Sequence, residues 1–193
     1  NISSGVLDAL IITAASYEKK QSVSFFSTSS DVDNWEKVGR SGRQAEIDID
    51  ILMASVALPL IFPAVMINGQ YYGDGAMRQE TPLSPSIRMG ATNLLIISTE
   101  SSGDKSKLQS GMEYPNISEI GGYILDGLFS GSLYSDLERL DRINQVIAQN
   151  DKQKVYTKTK EMRQIDYLVI SPSKDINQIA MSCYDDLPLS IRT

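Results

Sequence analysis

Hydrophobic and polar positions alternate along this chain in a way that predicts short buried strands separated by helices. Apolar runs at residues 6–15 and 22–26 predict two neighbouring strands, and the run at 93–98 is the clearest buried strand. Residues 167–170 predict a last strand, whereas residues 31–44 form a polar excursion. Strands and helices that alternate in this way favour an α/β sandwich, with helices on both faces of a mostly parallel sheet.

Two stretches carry the spacing of an amphipathic helix. Within residues 47–57 the apolar positions recur three and four residues apart, at Ile49, Leu52, Met53 and Val56. Within residues 118–149 the corresponding positions are Leu133, Leu137, Leu140, Ile143 and Ile147. Each set predicts a helix whose apolar face packs against the rest of the domain.

Prolines define the breaks around these helices. Ser84 followed by Pro85 predicts the start of a short helix, with the serine as its N-cap. Pro59 should end the helix before it, and Pro59 and Pro63 restrict the residue before each to extended conformations. Residues 60–62 are therefore expected to form a stiff extended loop.

A hairpin that runs into an aspartate between two glycines bears most directly on chemistry. The dipeptide Asn68-Gly69 is the strongest short signal for a two-residue turn, because both turn positions need a positive φ. Gly73 and Gly75 then flank Asp74, which places a carboxylate at the end of a strand where a partner group can approach closely. The alternative is a turn aspartate that caps its own backbone.

The composition narrows the function classes. The 193 residues fit one domain, and 18 basic against 24 acidic residues give a net charge of −6. That balance argues against nucleic acid as a primary partner, because nucleic-acid binding relies on clustered Lys and Arg. No apolar run approaches the ~20 residues of a membrane span.

The chain contains no histidine, which limits the chemistry further. A triad of serine, histidine and aspartate cannot form within it, and a zinc site is disfavoured. The single cysteine, Cys183, has no histidine to activate it, so we expect a buried thiol or a bystander and not a nucleophile. No metal or cofactor is expected.

Residues 54–63, the hairpin and residues 74–76 together resemble the C-terminal half of a patatin-like phospholipase domain. In that family a segment A-S-x-A-x-P-x-x-F-P precedes a D-G-[GA] motif that carries the catalytic aspartate. Residues 89–98 are similar to the strand that follows the motif. The resemblance extends over most of the chain and implies that residues 1–193 are the C-terminal part of a single patatin-like domain.

The chain departs from the family pattern in its missing nucleophile. Neither the glycine-rich oxyanion loop nor a G-x-S-x-G elbow is present, and the nearest strings, around Ser41 and Ser132, lack the required glycine spacing. We therefore expect the serine to lie outside this chain. The implied fold is a three-layer α/β/α sandwich that is incomplete here, with an exposed sheet edge and an exposed apolar face.

The resemblance implies a dyad of serine and aspartate that hydrolyses the acyl ester of a phospholipid or neutral lipid. Asp74 would be the base, and the turn of the motif is formed by Gly73, Gly75 and Ala76. An aspartate can serve in place of histidine if it lies close to the serine hydroxyl in a partly desolvated pocket. The alternative of another class is a catalytically inactive binding or regulatory module that kept this fold.

The apolar residues before the hairpin are candidates for lipid contact. Leu60, Ile61 and Phe62 could line the mouth of an acyl-chain pocket; the alternative is that they fill the core beneath the hairpin. The implied partners are a lipid substrate and the missing N-terminal half of the same domain. We expect a location in the cytoplasm or at the periphery of a membrane, unless the full-length protein is secreted.

Overall fold

A computed structural model describes most of the chain. The described residues are 2, 4–79, 81–99, 120, 123, 127, 132–149 and 162–174. They belong to two compact units, Asn1–Ala91 with Pro115–Met162 and Thr92–Tyr114 with Arg163–Thr193. Cys183 and most of the first half of the predicted long helix lie outside the described residues. The prediction of a single domain stays a prediction.

The first unit is built on a six-stranded mixed sheet. Its strands are β1 (Ala9–Ser16), β2 (Gln21–Thr28), β3 (Trp35–Lys37), β4 (Arg40–Gln44), β5 (Val65–Ile67) and β6 (Gln70–Asp74). Their order across the sheet is β3-β4-β2-β1-β6-β5. Every neighbouring pair is antiparallel except β2 and β4. The strands predicted at 6–15 and 22–26 are thus confirmed as the hairpin β1–β2.

The described helices of this unit follow the predicted order. They are α1 (Ile49–Ser55), a 3₁₀ turn (Gly75–Arg78), α2 (Ser84–Arg88) and α3 (Ser132–Gln149). Ser84 is the first residue of α2 and Leu83 is its N-cap, one position earlier than expected. In α3, Leu137 and Leu140 are buried, which confirms the predicted apolar face in the described part of that helix.

The second unit contains one parallel strand pair. Strand β7 (Asn93–Ile97) pairs with β8 (Asp166–Ile170) in a register that sets Leu95 opposite Leu168 and Ile97 opposite Ile170. Both strands were predicted from their apolar runs. All four of these side chains are exposed.

The α/β class is confirmed, but the described strands do not form a mostly parallel sheet. Four of their six neighbouring pairs run antiparallel. The reason is that turns of two to four residues join β1 to β2, β3 to β4 and β5 to β6, and such short connections can link only antiparallel strands.

The polar stretch at residues 31–44 is a second difference from expectation, since it contains β3 and β4. Gly39, with a φ of 73°, turns the chain between them. Trp35 lies opposite Gly42, and a Cβ at position 42 would overlap the indole ring. Because Gly42 has no side chain, the indole ring of Trp35 can pack over β4 in this otherwise polar strand pair.

Helix α1 buries a different face from the one predicted. Ile51 and Ala54 pack into the core with β1, β5 and β6, whereas the four predicted positions are exposed: Ile49, Leu52, Met53 and Val56. Asp48 fixes the start of the helix, because its Oδ1 accepts a 2.9 Å hydrogen bond from the Ile51 amide. Two buried residues three positions apart, one of them small, hold this short helix close to the sheet.

The core beneath α1 joins the β1–β2 hairpin to the β5–β6 hairpin. Its buried residues are Ala14, Val23, Phe25, Ile51, Ala54, Ile67 and Tyr72. The rings of Phe25 and Tyr72 meet edge to face with centroids 5.3 Å apart. This packing fixes β6, the strand that ends at Asp74.

Candidate functional site

The hairpin that carries Asp74 forms as predicted. Asn68 and Gly69 have φ angles of 50° and 79°, as a two-residue turn of type I′ requires. Strand β6 then runs between β5 and β1, and Asp74 stands opposite Ala14 at its end. The Asp74 amide donates a 2.9 Å hydrogen bond to the carbonyl oxygen of Ala57. The backbone of Asp74 is therefore held from two sides.

The carboxylate of Asp74 is half-buried and makes one local hydrogen bond. Its Oδ1 accepts from the Ala76 amide at 2.9 Å, which caps the 3₁₀ turn that follows. This is the backbone cap that we considered as the alternative to a catalytic role. Among the described residues, no donor reaches Oδ2, so one carboxylate oxygen stays free for a further partner.

The two glycines of the motif are needed because neighbouring atoms lie close to them, and not because their backbone angles are unusual. A Cβ at Gly75 would overlap the backbone carbonyl of Thr13 on β1. A Cβ at Gly73 would lie 2.7 Å from the hydroxyl oxygen of Tyr17, the far end of an exposed side chain. Position 75 is thus restricted to glycine by rigid backbone, and position 73 by a side chain that can move.

Neither serine considered from the sequence has the position of a nucleophile at an elbow. Ser41 lies inside β4, is 3% exposed, and accepts a 3.0 Å hydrogen bond from Nε2 of Gln21. Ser132 is the first residue of α3. No hydroxyl group among the described residues hydrogen-bonds to Asp74. The expectation of a serine outside this chain stays a prediction.

Residues 60–62 form a turn and not the extended loop that the prolines predicted. The amides of Ile61 and Phe62 both donate to the carbonyl of Leu58, at 3.2 and 2.9 Å, and Leu60 has a φ of 70°. Pro59 does not prevent this, because a fixed φ near −65° suits the early positions of a turn.

The side chains of this turn point away from the core. Leu60, Ile61 and Phe62 are 95%, 61% and 54% exposed. Among the described residues they therefore do not fill the core beneath the hairpin. Their role in lining an acyl-chain pocket stays a prediction.

One cavity of the first unit does not include Asp74. It has a volume of about 600 Å³ and lies over β2, β4 and β6, with a mostly polar wall that includes Phe25, Trp35, Arg43 and Tyr72. Burial raises the pKa of the Tyr72 phenol, whose hydroxyl donates to Oε1 of Gln70 at 3.1 Å. Its wall also includes the Glu36 carboxylate and the Ser41 hydroxyl, but Ser41 is buried and accepts the hydrogen bond from Gln21. We therefore base the candidate site on Asp74.

Comparisons of the chain with models of known protein families, with curated proteins and with solved structures return no match. The resemblance to the patatin-like family therefore rests on the sequence motif alone. Within the described part of the chain, no group of three or more Cys, Asp or Glu side chains could hold a metal ion. No described helix combines the length and apolarity needed to cross a bilayer.

Proposed function

We propose that this chain is the C-terminal part of a patatin-like lipid acyl hydrolase, with Asp74 as the general base for a serine that lies outside the chain. The observation that carries the proposal is the fixed position of Asp74. Its amide is bonded to Ala57, Gly75 packs directly on Thr13, and one carboxylate oxygen has no donor among the described residues. A base needs this combination of rigid placement and an available oxygen.

The proposed reaction uses a single side chain, Asp74, as proton acceptor. Asp74 gives up each proton that it takes within the same catalytic cycle. The serine hydroxyl attacks the ester carbonyl while Asp74 takes its proton. The tetrahedral intermediate collapses to an acyl-serine, and the protonated Asp74 gives its proton to the alcohol that leaves. A water then attacks the acyl-serine while Asp74 takes its proton, and Asp74 passes this proton to the serine oxygen as the fatty acid is released.

We also propose that the complete domain is a three-layer α/β/α sandwich with a mostly parallel sheet. The pair β7–β8 supports this, because parallel strands are almost always covered on both faces, yet one face of this pair exposes Leu95, Ile97, Leu168 and Ile170. The proposed cover is the other half of the same domain.

Contact with a lipid interface is part of the same proposal. The turn at residues 60–62 presents three exposed apolar side chains, and α1 and its C-cap add the exposed Met53 and Val56. Exposed apolar groups of this kind mark interaction surfaces in soluble domains. We therefore propose a protein of the cytoplasm or of the membrane periphery, whose partner is a phospholipid or neutral lipid.

A specific observation favours the second candidate, an inactive binding or regulatory module. The bond from Ala76 to Asp74 gives this carboxylate a structural role that needs no nucleophile. The variant Asp74→Asn in the full-length protein separates the two functions, because an amide oxygen can still accept from Ala76 but cannot take a proton. If the full-length wild type hydrolyses lipid esters and Asp74→Asn abolishes this activity, the result supports the enzyme. If the full-length wild type is itself inactive, the result supports the binding or regulatory module.

A further inference from the structure

A second, smaller cavity brings three arginines together. It lies between β4, residues 81–88 and α3, and Arg40, Arg88 and Arg139 line it with one carboxylate, Asp136. Three positive charges less one negative charge leave a formal charge of +2, in a chain whose net charge is −6. The rest of the wall is mostly apolar, formed by Leu83, Ile87, Leu140 and Ile143. The three arginines are therefore not interspersed with an equal number of carboxylates, as charges usually are on a solvated protein surface.

Two of these arginines keep buried donors without acceptors. The Nε atoms of Arg40 and Arg88 are buried and have no hydrogen-bond partner among the described residues, although Arg40 donates through Nη1 to the hydroxyl of Thr81. The Arg88 guanidinium stacks on Trp35, with its central carbon 4.6 Å from the ring centroid. Burial, and then the charge of Arg40, lowers the pKa of Arg88. A buried N–H group without an acceptor costs free energy. The cavity is therefore short of hydrogen-bond acceptors for these arginines.

Asp136 does not supply those acceptors. Its Oδ2 accepts a 3.0 Å hydrogen bond from the backbone amide of Leu83. No ion pair joins it to Arg40 or Arg88 among the described residues. The carboxylate therefore ties α3 to residue 83, and its single negative charge offsets only one of the three positive charges of the cavity.

We propose that this cavity binds a phosphate-class oxyanion, either inorganic phosphate or the phosphate of a small phosphoester. A formal charge of +2 complements a dianion, and planar guanidinium groups bind phosphate oxygens with paired hydrogen bonds. The cavity volume of about 240 Å³ equals that of about eight water molecules, which suits a small anion better than a drug-sized ligand. Its apolar wall can receive the organic part of an ester. The site is separate from Asp74 and does not depend on the proposed hydrolase.

Calorimetric titration of the purified 193-residue chain tests the proposal. The probes are inorganic phosphate and glycerol 3-phosphate at matched ionic strength, and a titration with sodium chloride is the blank. We expect saturable binding of at least one probe. Tighter binding of glycerol 3-phosphate identifies a phosphoester as ligand, and equal or weaker binding identifies free phosphate; both outcomes support the site. A folded wild type that binds neither probe saturably at millimolar concentration overturns it.

Three variants connect the binding to this cavity. Arg139→Gln should weaken phosphate binding roughly tenfold or more, because a hydrogen bond to a charged group is lost. The matched control is Arg142→Gln, an exposed arginine on the same helix that does not line the cavity, and it should leave the affinity unchanged. Asp136→Asn should tighten binding, since it removes the one negative charge and keeps an acceptor for Leu83.

Arg139 is exposed, so its variant should keep the fold, which circular dichroism checks. Equal loss of affinity in Arg139→Gln and Arg142→Gln would show a general charge effect and overturn the site. A folded Asp136→Asn protein that binds more weakly than wild type would do the same.

Discussion

The backbone amide of Asp74 donates a hydrogen bond to the carbonyl oxygen of Ala57 across 2.9 Å. These residues belong to the two segments of the motif, A-S-x-A-x-P-x-x-F-P and D-G-A, which lie on either side of the hairpin. Ala54 and Ala57 are both buried, so small side chains let the end of α1 approach the end of β6. The two segments thus form one structural unit, and the position of Asp74 depends on both.

The first prediction concerns the role of Asp74 in the full-length protein. Asp74→Asn should lower lipid-ester turnover by ~10² to 10⁴ with little change in melting temperature, because the cap to Ala76 is kept while the base is lost. Asp74→Ala removes both and should also destabilise the fold by ~1 kcal/mol. Turnover of a lipid ester and thermal unfolding are measured for each. Wild-type turnover in the asparagine variant would remove Asp74 from the mechanism.

The second prediction separates the glycines on either side of Asp74. Gly75→Ala should cost ~1–3 kcal/mol, because the new Cβ meets the rigid carbonyl of Thr13. Gly73→Ala is the matched control and should cost less, since the exposed side chain of Tyr17 can move aside. Urea unfolding of the isolated chain compares the two. Equal losses of stability would show that close approach to β1 is not what restricts position 75.

Local signals in the sequence predicted several elements well. The turn at Asn68-Gly69 and the apolar runs of β7 and β8 depend on neighbouring residues alone, and all three form as expected. The same holds for the described part of α3, where the apolar spacing identifies the buried Leu137 and Leu140. Local pattern was therefore sufficient to predict these elements.

What the sequence did not predict depends on contacts between distant residues. β4 is polar, and it joins the sheet because β2 offers a free edge and Gly42 leaves room for Trp35. The buried face of α1 is decided by its partners β1, β5 and β6, which periodicity does not reveal. The arginine cavity joins positions 40, 88 and 139, and no motif of neighbouring residues announces it.

The third prediction is that the isolated chain hydrolyses no ester. Ser41 is buried and bonded to Gln21, so it cannot reach a substrate carbonyl. Ser41→Ala should instead lower stability by ~1–3 kcal/mol, because Nε2 of Gln21 loses its acceptor. Nitrophenyl-ester turnover and labelling with a serine-directed phosphonate are the measurements. If the chain turns over the ester and loses this activity when the phosphonate labels Ser132 or another serine, the nucleophile lies within this chain.

The fourth prediction is a pH dependence of stability from Asp136. Burial raises the pKa of its carboxyl above the ordinary value of 3.8, although the Leu83 amide and the charges of Arg139 and Arg40 act in the opposite direction. The folded state thus binds more protons than the unfolded state just above pH 3.8. The stability that this group contributes is present below that pH and is lost as pH rises through the folded-state pKa.

Asp136→Asn should therefore gain stability relative to the wild type as pH rises from about 4 to 7, because an amide does not ionise. Urea unfolding of both proteins at several pH values gives the difference in free energy directly. A difference that is constant with pH, or that falls as pH rises, would contradict the raised pKa.

The last prediction concerns Phe62 and the apolar turn before the hairpin. Phe62 is 54% exposed, so Phe62→Ala should cost under ~1 kcal/mol in the isolated chain. The control is Phe26→Ala, a fully buried phenylalanine of β2, which should cost ~3–5 kcal/mol. In the full-length protein, Phe62→Ala should instead change the preferred acyl length in a competition between short-chain and long-chain esters. A full-length variant that loses several kcal/mol of stability and keeps its chain-length selectivity would assign Phe62 to a buried interface with the rest of the domain, and the pocket role would be abandoned.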